Sequence, residues 1–164
     1  MQFFKAHKLV CAEVLMTVAL IVFIALCVRG RVRDDVPLSD LKGPVLEQLA
    51  GAENMKEAGA MKLRSLYGLD ANDYAEVLLY IPVSNMDAQE MLLVRCRTEE
   101  QADAVAAAMR KRIGDQTGIF ESYGVEQMAL IRKAVVDVQG TYCLYVCDLN
   151  SYQAQSAFRR ALAR

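Results

Sequence analysis

Several carboxylates of this chain lie close together in sequence, and paired carboxylates can carry general acid–base chemistry. Three pairs qualify by spacing or by the geometry of a predicted hairpin: Asp70 with Asp73, Glu99 with Glu100, and Asp137 with Asp148. Each pair also has a simpler account as turn residues, as charges at a helix N-terminus or as polar groups at a strand edge. We therefore predict no catalytic residue and no enzymatic activity.

Nucleophilic and metal chemistry lack the residues that they need. The single histidine, His7, precedes the predicted folded domain, so no histidine there can act as the base for a Ser or Cys nucleophile. The three cysteines of the domain, Cys96, Cys143 and Cys147, would lack a fourth ligand for a zinc ion. We expect neither a metal nor a cofactor, and we interpret these cysteines as small buried side chains.

The cysteine spacing also limits the possible disulfides. Cys11 and Cys27 belong to the N-terminal apolar region. Cys143 and Cys147 are four residues apart in a strand-like run, about 13 Å along a regular strand, which is too far for a bridge. In an oxidising medium, the only bridge to consider joins Cys96 to Cys143 or Cys147.

One cluster of aromatic and polar residues lies in the connection before the last predicted hairpin. Tyr123, Glu126 and Gln127 are close together there, and such groups on a connection can line a binding surface. The alternative is a cap or hydrophobic staple at the start of a helix. These three residues are the candidate binding residues of the sequence.

The N-terminal part of the chain contains an uncharged run without Pro or Gly, Val14 to Val28. As a helix this run is roughly 22 Å long, and residues 9–13 extend it to about 30 Å, the thickness of a bilayer core. We predict a tail and a single transmembrane anchor in residues 1–33, in contact with the lipid bilayer, and one domain in residues 34–164. A cleaved signal peptide and a buried core helix are the alternatives.

Basic residues flank the apolar run on both sides, so their number alone does not fix its orientation. Lys5 and Lys8 precede the run, and three arginines follow it. The short N-terminal flank and its free amine favour a cytoplasmic N-terminus and an extracytoplasmic domain at the cell membrane. Leu26, directly before Cys27, argues against a lipoprotein signal, which has a small residue at that position.

The charge balance provides no general attraction for nucleic acid. Nineteen basic and twenty acidic residues give a net charge of −1, so the chain has no global positive field. Local basic clusters such as residues 110–112 fall on or beside predicted amphipathic helices, where a solvated face explains them. We expect no nucleic-acid partner.

Two pairs of apolar runs with a period of two predict antiparallel hairpins. The first pair joins residues 74–81 to residues 91–97. The second joins residues 134–138 to residues 141–147 through a tight turn that contains Gly140. The last run is apolar on both faces, which indicates a central strand.

Amphipathic helices are predicted before, between and after these hairpins. Their expected starts are near Pro37, Gly59, Thr98, Val125 and Ser151. Thr98 and Gln101 also form the pattern of a capping box. The order predicts an α+β domain in which two antiparallel β-hairpins form a sheet packed by amphipathic helices, preceded by one N-terminal transmembrane helix. Parallel βαβ winding is the second choice.

Three segments of the chain resemble the bacterial domain-of-unknown-function family 4358. They are Met91-Leu-Leu-Val-Arg-Cys96 with the alanine-rich helix after it, Phe120-Glu-Ser-Tyr-Gly-Val-Glu-Gln127, and the hairpin of residues 134–147. The resemblance covers roughly residues 36–158. It implies a small envelope protein of Gram-positive anaerobes, of which many are lipoproteins or single-pass anchors. It implies no activity, ligand or catalytic residue.

These observations together predict a membrane-anchored, extracytoplasmic binding or assembly module of the bacterial cell envelope. Its partners would be the bilayer, through Val14 to Val28, and an envelope protein or polymer. A passive structural envelope protein is the first alternative. An envelope enzyme that uses carboxylates is the second.

Overall fold

The computed structural model describes residues 16–20 and 33–163. The chain divides into two compact units, one of residues Met1–Arg31 with Arg164, the other Val32–Ala163. Residues 16–20 are helical, and the rest of the predicted transmembrane run lies outside the described residues. Within the described ranges, no helix combines the length and the apolar character that crossing a membrane requires.

An antiparallel sheet forms the centre of the second unit. Its strands are β1 (Met55–Ala58), β2 (Glu76–Pro82), β3 (Glu90–Arg95), β4 (Val135–Gln139) and β5 (Tyr142–Cys147). They lie in the order β1-β2-β3-β5-β4, and every neighbouring pair is antiparallel. Both predicted hairpins are confirmed, as β2–β3 and β4–β5. The parallel alternative is wrong, and the edge strand β1 is an addition to the prediction.

Five α-helices lie before, between and after these strands in residues 33–163. They are α1 (Leu38–Leu46), α2 (Ala60–Tyr67), α3 (Glu99–Phe120), α4 (Val125–Ile131) and α5 (Ser151–Leu162). Two short 3-10 helices, Ala52–Asn54 and Ala71–Asp73, precede β1 and β2. The predicted α+β class is therefore confirmed for this unit. The transmembrane helix predicted in residues 1–33 stays a prediction.

Helices cover both faces of the sheet, because side chains alternate between the faces along each strand. In β3, Leu92 and Val94 belong to a core with α2, α3 and α4, whereas Met91 and Leu93 belong to a core with α1 and α5. Every residue of β5 is buried, as expected for a central strand apolar on both faces. Full burial of one large side chain such as Phe158 contributes roughly 1.5–3 kcal/mol.

Local signals in the sequence fix two element boundaries. Thr98 Oγ1 accepts from Gln101 N at 3.3 Å, and Gln101 Oε1 accepts from Arg97 N at 2.9 Å, so the predicted cap at the start of α3 forms in both directions. Gly140 has a φ of 58° in the turn between β4 and β5. Glycine adopts this left-handed conformation without steric cost.

The three cysteines of the domain are buried free thiols: Cys96, Cys143 and Cys147. Cys143 Sγ donates to Ala102 O at 3.5 Å. A hydrogen bond with Cys96, together with burial, raises the pKa of Cys143, and burial raises the pKa of Cys147 to about 12. Because the thiolate is the reactive form of cysteine, Cys143 and Cys147 are inert thiols in the folded domain at neutral pH. The pKa of Cys96 is instead lowered by its hydrogen bond with Cys143.

Candidate functional site

A carboxylate is buried at the start of the middle strand. Glu90 is the first residue of β3, and its side chain has no exposed surface. Residues two apart in a strand face the same way, so Glu90 shares the face of Leu92, which packs in the core with α3. A buried carboxylate is costly unless charged and polar partners compensate for the lost water.

Two helices supply those partners. Arg112 of α3 donates from Nη2 to Glu90 Oε2 at 2.7 Å, and from Nε to both carboxylate oxygens at 3.1 and 3.2 Å. Gln116, four residues further along α3, donates from Nε2 to Glu90 Oε2 at 3.1 Å. Tyr67 of α2 donates its hydroxyl to Glu90 Oε1. Three side chains therefore hold one carboxylate in place.

The network extends to the neighbouring strand through Gln116. Tyr145 of β5 donates its hydroxyl to Gln116 Oε1 at 2.6 Å, and Gln116 Nε2 also donates to Ala88 O at 3.1 Å. The rings of Tyr67 and Tyr145 meet edge to face, with 6.2 Å between their centroids. We call Tyr67, Glu90, Arg112, Gln116 and Tyr145 the Glu90 cluster.

Burial and charge keep Tyr67, Tyr145 and Arg112 of this cluster protonated. Burial is the main cause that raises the pKa of Tyr67 and Tyr145 well above the ordinary value, so both hydroxyls remain donors. For Arg112, burial acts in the opposite direction, but the hydrogen bonds and the charge of Glu90 outweigh it and raise its pKa. Arg112 therefore stays a cation beside Glu90.

A small cavity of about 140 Å³ opens above the cluster. Glu90, Arg112 and Gln116 of the cluster line it, and its other polar lining residues are Lys62, Asn85 and Asp87. Its apolar walls come from α2, the end of β2 and the end of α3: Leu66, Ile81, Pro82, Ile119 and Phe120. This volume is below the roughly 300–1,000 Å³ of typical small-molecule sites. The cavity has room for a side chain or a chain end.

Comparison with known proteins gives a family match over the part of the chain that builds this site. The model of a family described as "Domain of unknown function (DUF4358)" matches residues 49–148. The chain belongs to this family. No curated protein and no solved structure matches the chain. The DUF4358 region contains all five strands and the whole Glu90 cluster, whereas α1 and α5 lie outside it.

The predicted binding residues lie at the junction of α3 and α4 in the DUF4358 region. Tyr123 is exposed in the turn, and its ring centroid lies 6.0 Å from that of Phe120. Glu126 is exposed, whereas Gln127 is partly buried beside Gly124. The structure thus brings Tyr123 next to the wall of the Glu90 cavity, and whether the three residues bind a partner stays a prediction.

A second cavity, of about 150 Å³, lies on the other side of this turn. Tyr123, Val125, Met128 and Arg132 contribute to its lining, and neither Glu126 nor Gln127 does. Of the three candidate residues, Tyr123 is therefore the one that lines a concave surface.

The carboxylates that the sequence offered as acid–base pairs lie at positions with structural roles. Asp70 caps the second 3-10 helix and pairs with Arg64. Glu99 and Glu100 occupy the first turn of α3, where negative charge stabilises a helix. Asp137 accepts two hydrogen bonds from Arg159, at 2.6 and 3.0 Å. These contacts match the simpler account of each pair.

Asp148 also has a structural role, directly after β5 and next to the start of β3. Its Oδ1 accepts from Ala50 N at 3.0 Å and from Asn150 N at 2.7 Å, and its Oδ2 accepts from Gln89 Nε2 at 3.1 Å. A Cβ on Gly51 would lie 1.8 Å from Gln89 Nε2. Any larger residue at position 51 would therefore displace the Gln89 amide from this place.

The described residues contain no set of side chains arranged to bind a metal ion. Within residues 16–20 and 33–163, no three His, Cys, Asp or Glu side chains are grouped so that they could hold a metal ion.

Sequence reasoning missed the Glu90 cluster. Its signal was a glutamate directly before an apolar strand, together with Arg112 and Gln116 at a spacing of four in a predicted helix.

Proposed function

We propose that this DUF4358 protein is a membrane-anchored, extracytoplasmic binding or assembly module of the bacterial cell envelope. Its anchor would be the run Val14 to Val28, and its partner an envelope protein. The observation that carries this proposal is an exposed apolar surface at the end of α3, set between two small cavities.

Three exposed apolar side chains form this surface. Ile119, Tyr123 and Val125 are 48%, 58% and 85% exposed. Ile119 lines the cavity above Glu90, and the other two line the second cavity. Phe120 connects the cavities, since it lines the first and contacts the ring of Tyr123. We call these three side chains and the two cavities the docking surface.

The size of the cavities favours a protein partner over a cofactor. At about 140 and 150 Å³, each has room for one inserted side chain and is smaller than a typical cofactor pocket. Protein interfaces concentrate their binding energy in a few such anchored side chains. An apolar patch exposed on a folded domain is also typical of an interaction surface.

The Glu90 cluster gives this surface a rigid base. Arg112 and Gln116 are held by the same carboxylate, so the turns of α3 before Ile119 are fixed to the sheet. A preorganised surface loses little entropy on binding. Tethering to a membrane raises the effective concentration of a partner in the same membrane, so a modest affinity would be sufficient.

The first prediction concerns topology. Protease treatment of intact, wall-stripped cells should remove residues 34–164, because an extracytoplasmic domain is accessible to the enzyme. Immunoblotting with an antibody against the domain measures this loss, and a cytoplasmic protein serves as the control for lysis. Protection of the domain would contradict the proposed orientation, and a mature N-terminus after Cys27 would contradict the anchor.

The second prediction concerns the docking surface. A photo-crosslinking amino acid at position 123 of the full chain should give one predominant protein adduct in whole cells, because Tyr123 faces the proposed partner. In the same assay, Ile119→Ala should weaken capture about tenfold or more, as expected for an interface residue worth at least 1.4 kcal/mol. Glu126→Ala and Gln127→Ala test the other two predicted residues.

Met61 offers a matched control for this experiment. It is 88% exposed on α2 and lines neither cavity. The same photoreactive group at position 61 should capture little of the position-123 partner. Equal capture at the two positions, or capture that Ile119→Ala leaves unchanged, would show that the docking surface does not bind this partner.

A further inference from the structure

A groove of about 450 Å³ lies beside the exposed face of α5, apart from the docking surface. Its polar lining comes from three parts of the chain: Gln48, Lys133, Tyr152, Gln153, Ser156 and Arg160. The volume is within the roughly 300–1,000 Å³ of small-molecule sites. Only Lys133 of these residues lies inside the family match to residues 49–148, so most of the groove belongs to the segments that flank it.

The position of α5 explains why polar groups meet here. Ala154, Phe158 and Leu162 turn inward to the core that α5 shares with α1, which leaves Tyr152 and Arg160 on the outer face. A single helix face would be convex. Gln48, after the end of α1, and Lys133, before β4, add the side walls that make this surface concave.

The groove is positively charged. Lys133 and Arg160 line it, and none of the lining residues is a carboxylate. Lys133 Nζ donates to Leu149 O at 3.4 Å. Among the described residues Arg160 forms no salt bridge, whereas the neighbouring Arg159 is paired with Asp137. An anion that enters the groove therefore meets two cations, and no lining carboxylate opposes it.

The uncharged groups of the groove favour a sugar. Tyr152 is 61% exposed, and an aromatic ring offers a flat apolar surface on which the C–H face of a sugar can pack. Gln48 and Gln153 each carry an amide with both donors and an acceptor, which suits neighbouring hydroxyl groups. Nucleic acid is less suited, since this chain provides a single exposed ring and two cations here.

We propose that this groove binds a segment of an anionic glycan. The acidic groups of the glycan pair with Lys133 and Arg160, a sugar ring packs on Tyr152, and hydroxyls bond to Gln48 and Gln153. The shared chemistry is a sugar chain with regularly spaced carboxylate or phosphodiester groups. This site is independent of the docking surface and would give the domain a second envelope contact.

Titration calorimetry of the full chain in lipid nanodiscs tests this proposal. The probes are a galacturonic acid tetramer, a hexose-phosphate tetramer, maltotetraose as the uncharged counterpart, and inorganic phosphate. We expect at least one acidic tetramer to bind at least tenfold more tightly than maltotetraose and inorganic phosphate. Binding of one acidic tetramer alone supports the proposal and identifies the acidic group.

Variants assign the binding to the groove. Arg160→Gln and Tyr152→Ala should each weaken binding of the acidic tetramer about tenfold. Arg110→Gln, at an exposed arginine of α3, should leave the affinity for the tetramer unchanged. Tyr123→Ala should also have no effect, which separates this site from the docking surface. Equal losses in Arg160→Gln and Arg110→Gln, binding of maltotetraose or phosphate as tight as that of the acidic tetramers, or no binding of either tetramer would overturn the proposal.

Discussion

Replacement of Glu90 by alanine is expected to lower the free energy of unfolding of the domain by about 3–5 kcal/mol. The substitution leaves the Arg112 guanidinium, which is largely buried, without its countercharge. It also removes an acceptor from Gln116 and from the Tyr67 hydroxyl. Urea denaturation of purified residues 34–164, followed by circular dichroism, measures the effect.

Two further variants show whether the loss comes from the unpaired buried charge: one removes both charges of the pair, and the other removes an exposed carboxylate. The double variant Glu90→Leu with Arg112→Leu removes both charges, so it should be more stable than Glu90→Ala by more than 1 kcal/mol, because replacing both members of a buried pair leaves no unpaired charge. Glu121→Ala, at an exposed glutamate, should change stability by less than about 0.5 kcal/mol. A loss in Glu90→Ala as small as in Glu121→Ala would contradict the structural role of the cluster.

The parts of the fold that were predictable have strong local signals. The alternation of residues in β2, β3 and β4, together with the apolar run of β5 after the turn at Gly140, indicates both hairpins. A period of two decides which side chains of a strand share a face. The cap formed by Thr98 and Gln101 likewise depends on residues only three apart. Local chemistry of this kind is visible in the sequence before any tertiary contact is known.

The edge strand β1 lacked such a signal. Its sequence, Met55-Lys-Glu-Ala58, has charged residues at its two central positions, which is typical of edge strands that avoid further pairing. Among the described strands it pairs with β2 alone, and the paired residues, from Ala58 with Leu79 to Met55 with Pro82, are more than 20 positions apart in the chain. The strand therefore forms because it pairs with the free edge of β2. That pairing is a tertiary contact, which the local sequence does not show.

The C-terminal end of α3 also lacks a clear local signal. The apolar stripe of this helix extends to Ile113, and Gly114 and Gly118 lower the helix propensity beyond it. The helix nevertheless continues to Phe120. Burial of Gln116 and Phe120 against the sheet and α2 stabilises these turns, and the same turns carry Gln116 and Ile119 into the candidate site.

The candidate site was only partly predictable. Tyr123 is an aromatic residue on a connection, so its exposure could be inferred from the sequence. The Glu90 cluster joins residues 22 to 29 positions apart in four of its contacts. The local periodicity of the sequence does not indicate contacts between residues so far apart in the chain. A glutamate beside a strand is also normally assigned to the surface.

Replacement of Asp148 by alanine is expected to destabilise the domain by roughly 3 kcal/mol, since hydrogen bonds to a charged group are strong and unpaired buried donors are costly. The carboxylate binds Ala50 N and Asn150 N through one oxygen and Gln89 Nε2 through the other. It therefore joins the segment after α1 to the end of β5, 98 residues away. Urea denaturation of residues 34–164 measures the loss.

Asp148→Asn and Gly51→Ala show which hydrogen bonds of Asp148 account for the loss of stability. Asp148→Asn keeps an oxygen for the two backbone donors and loses the acceptor for Gln89, so it should cost about 1 kcal/mol, clearly less than Asp148→Ala. Gly51→Ala should also destabilise, because the new Cβ would displace the Gln89 amide from Asp148. If Asp148→Ala costs no more than Asp148→Asn, water replaces these bonds, and the carboxylate does not hold α1 to the sheet.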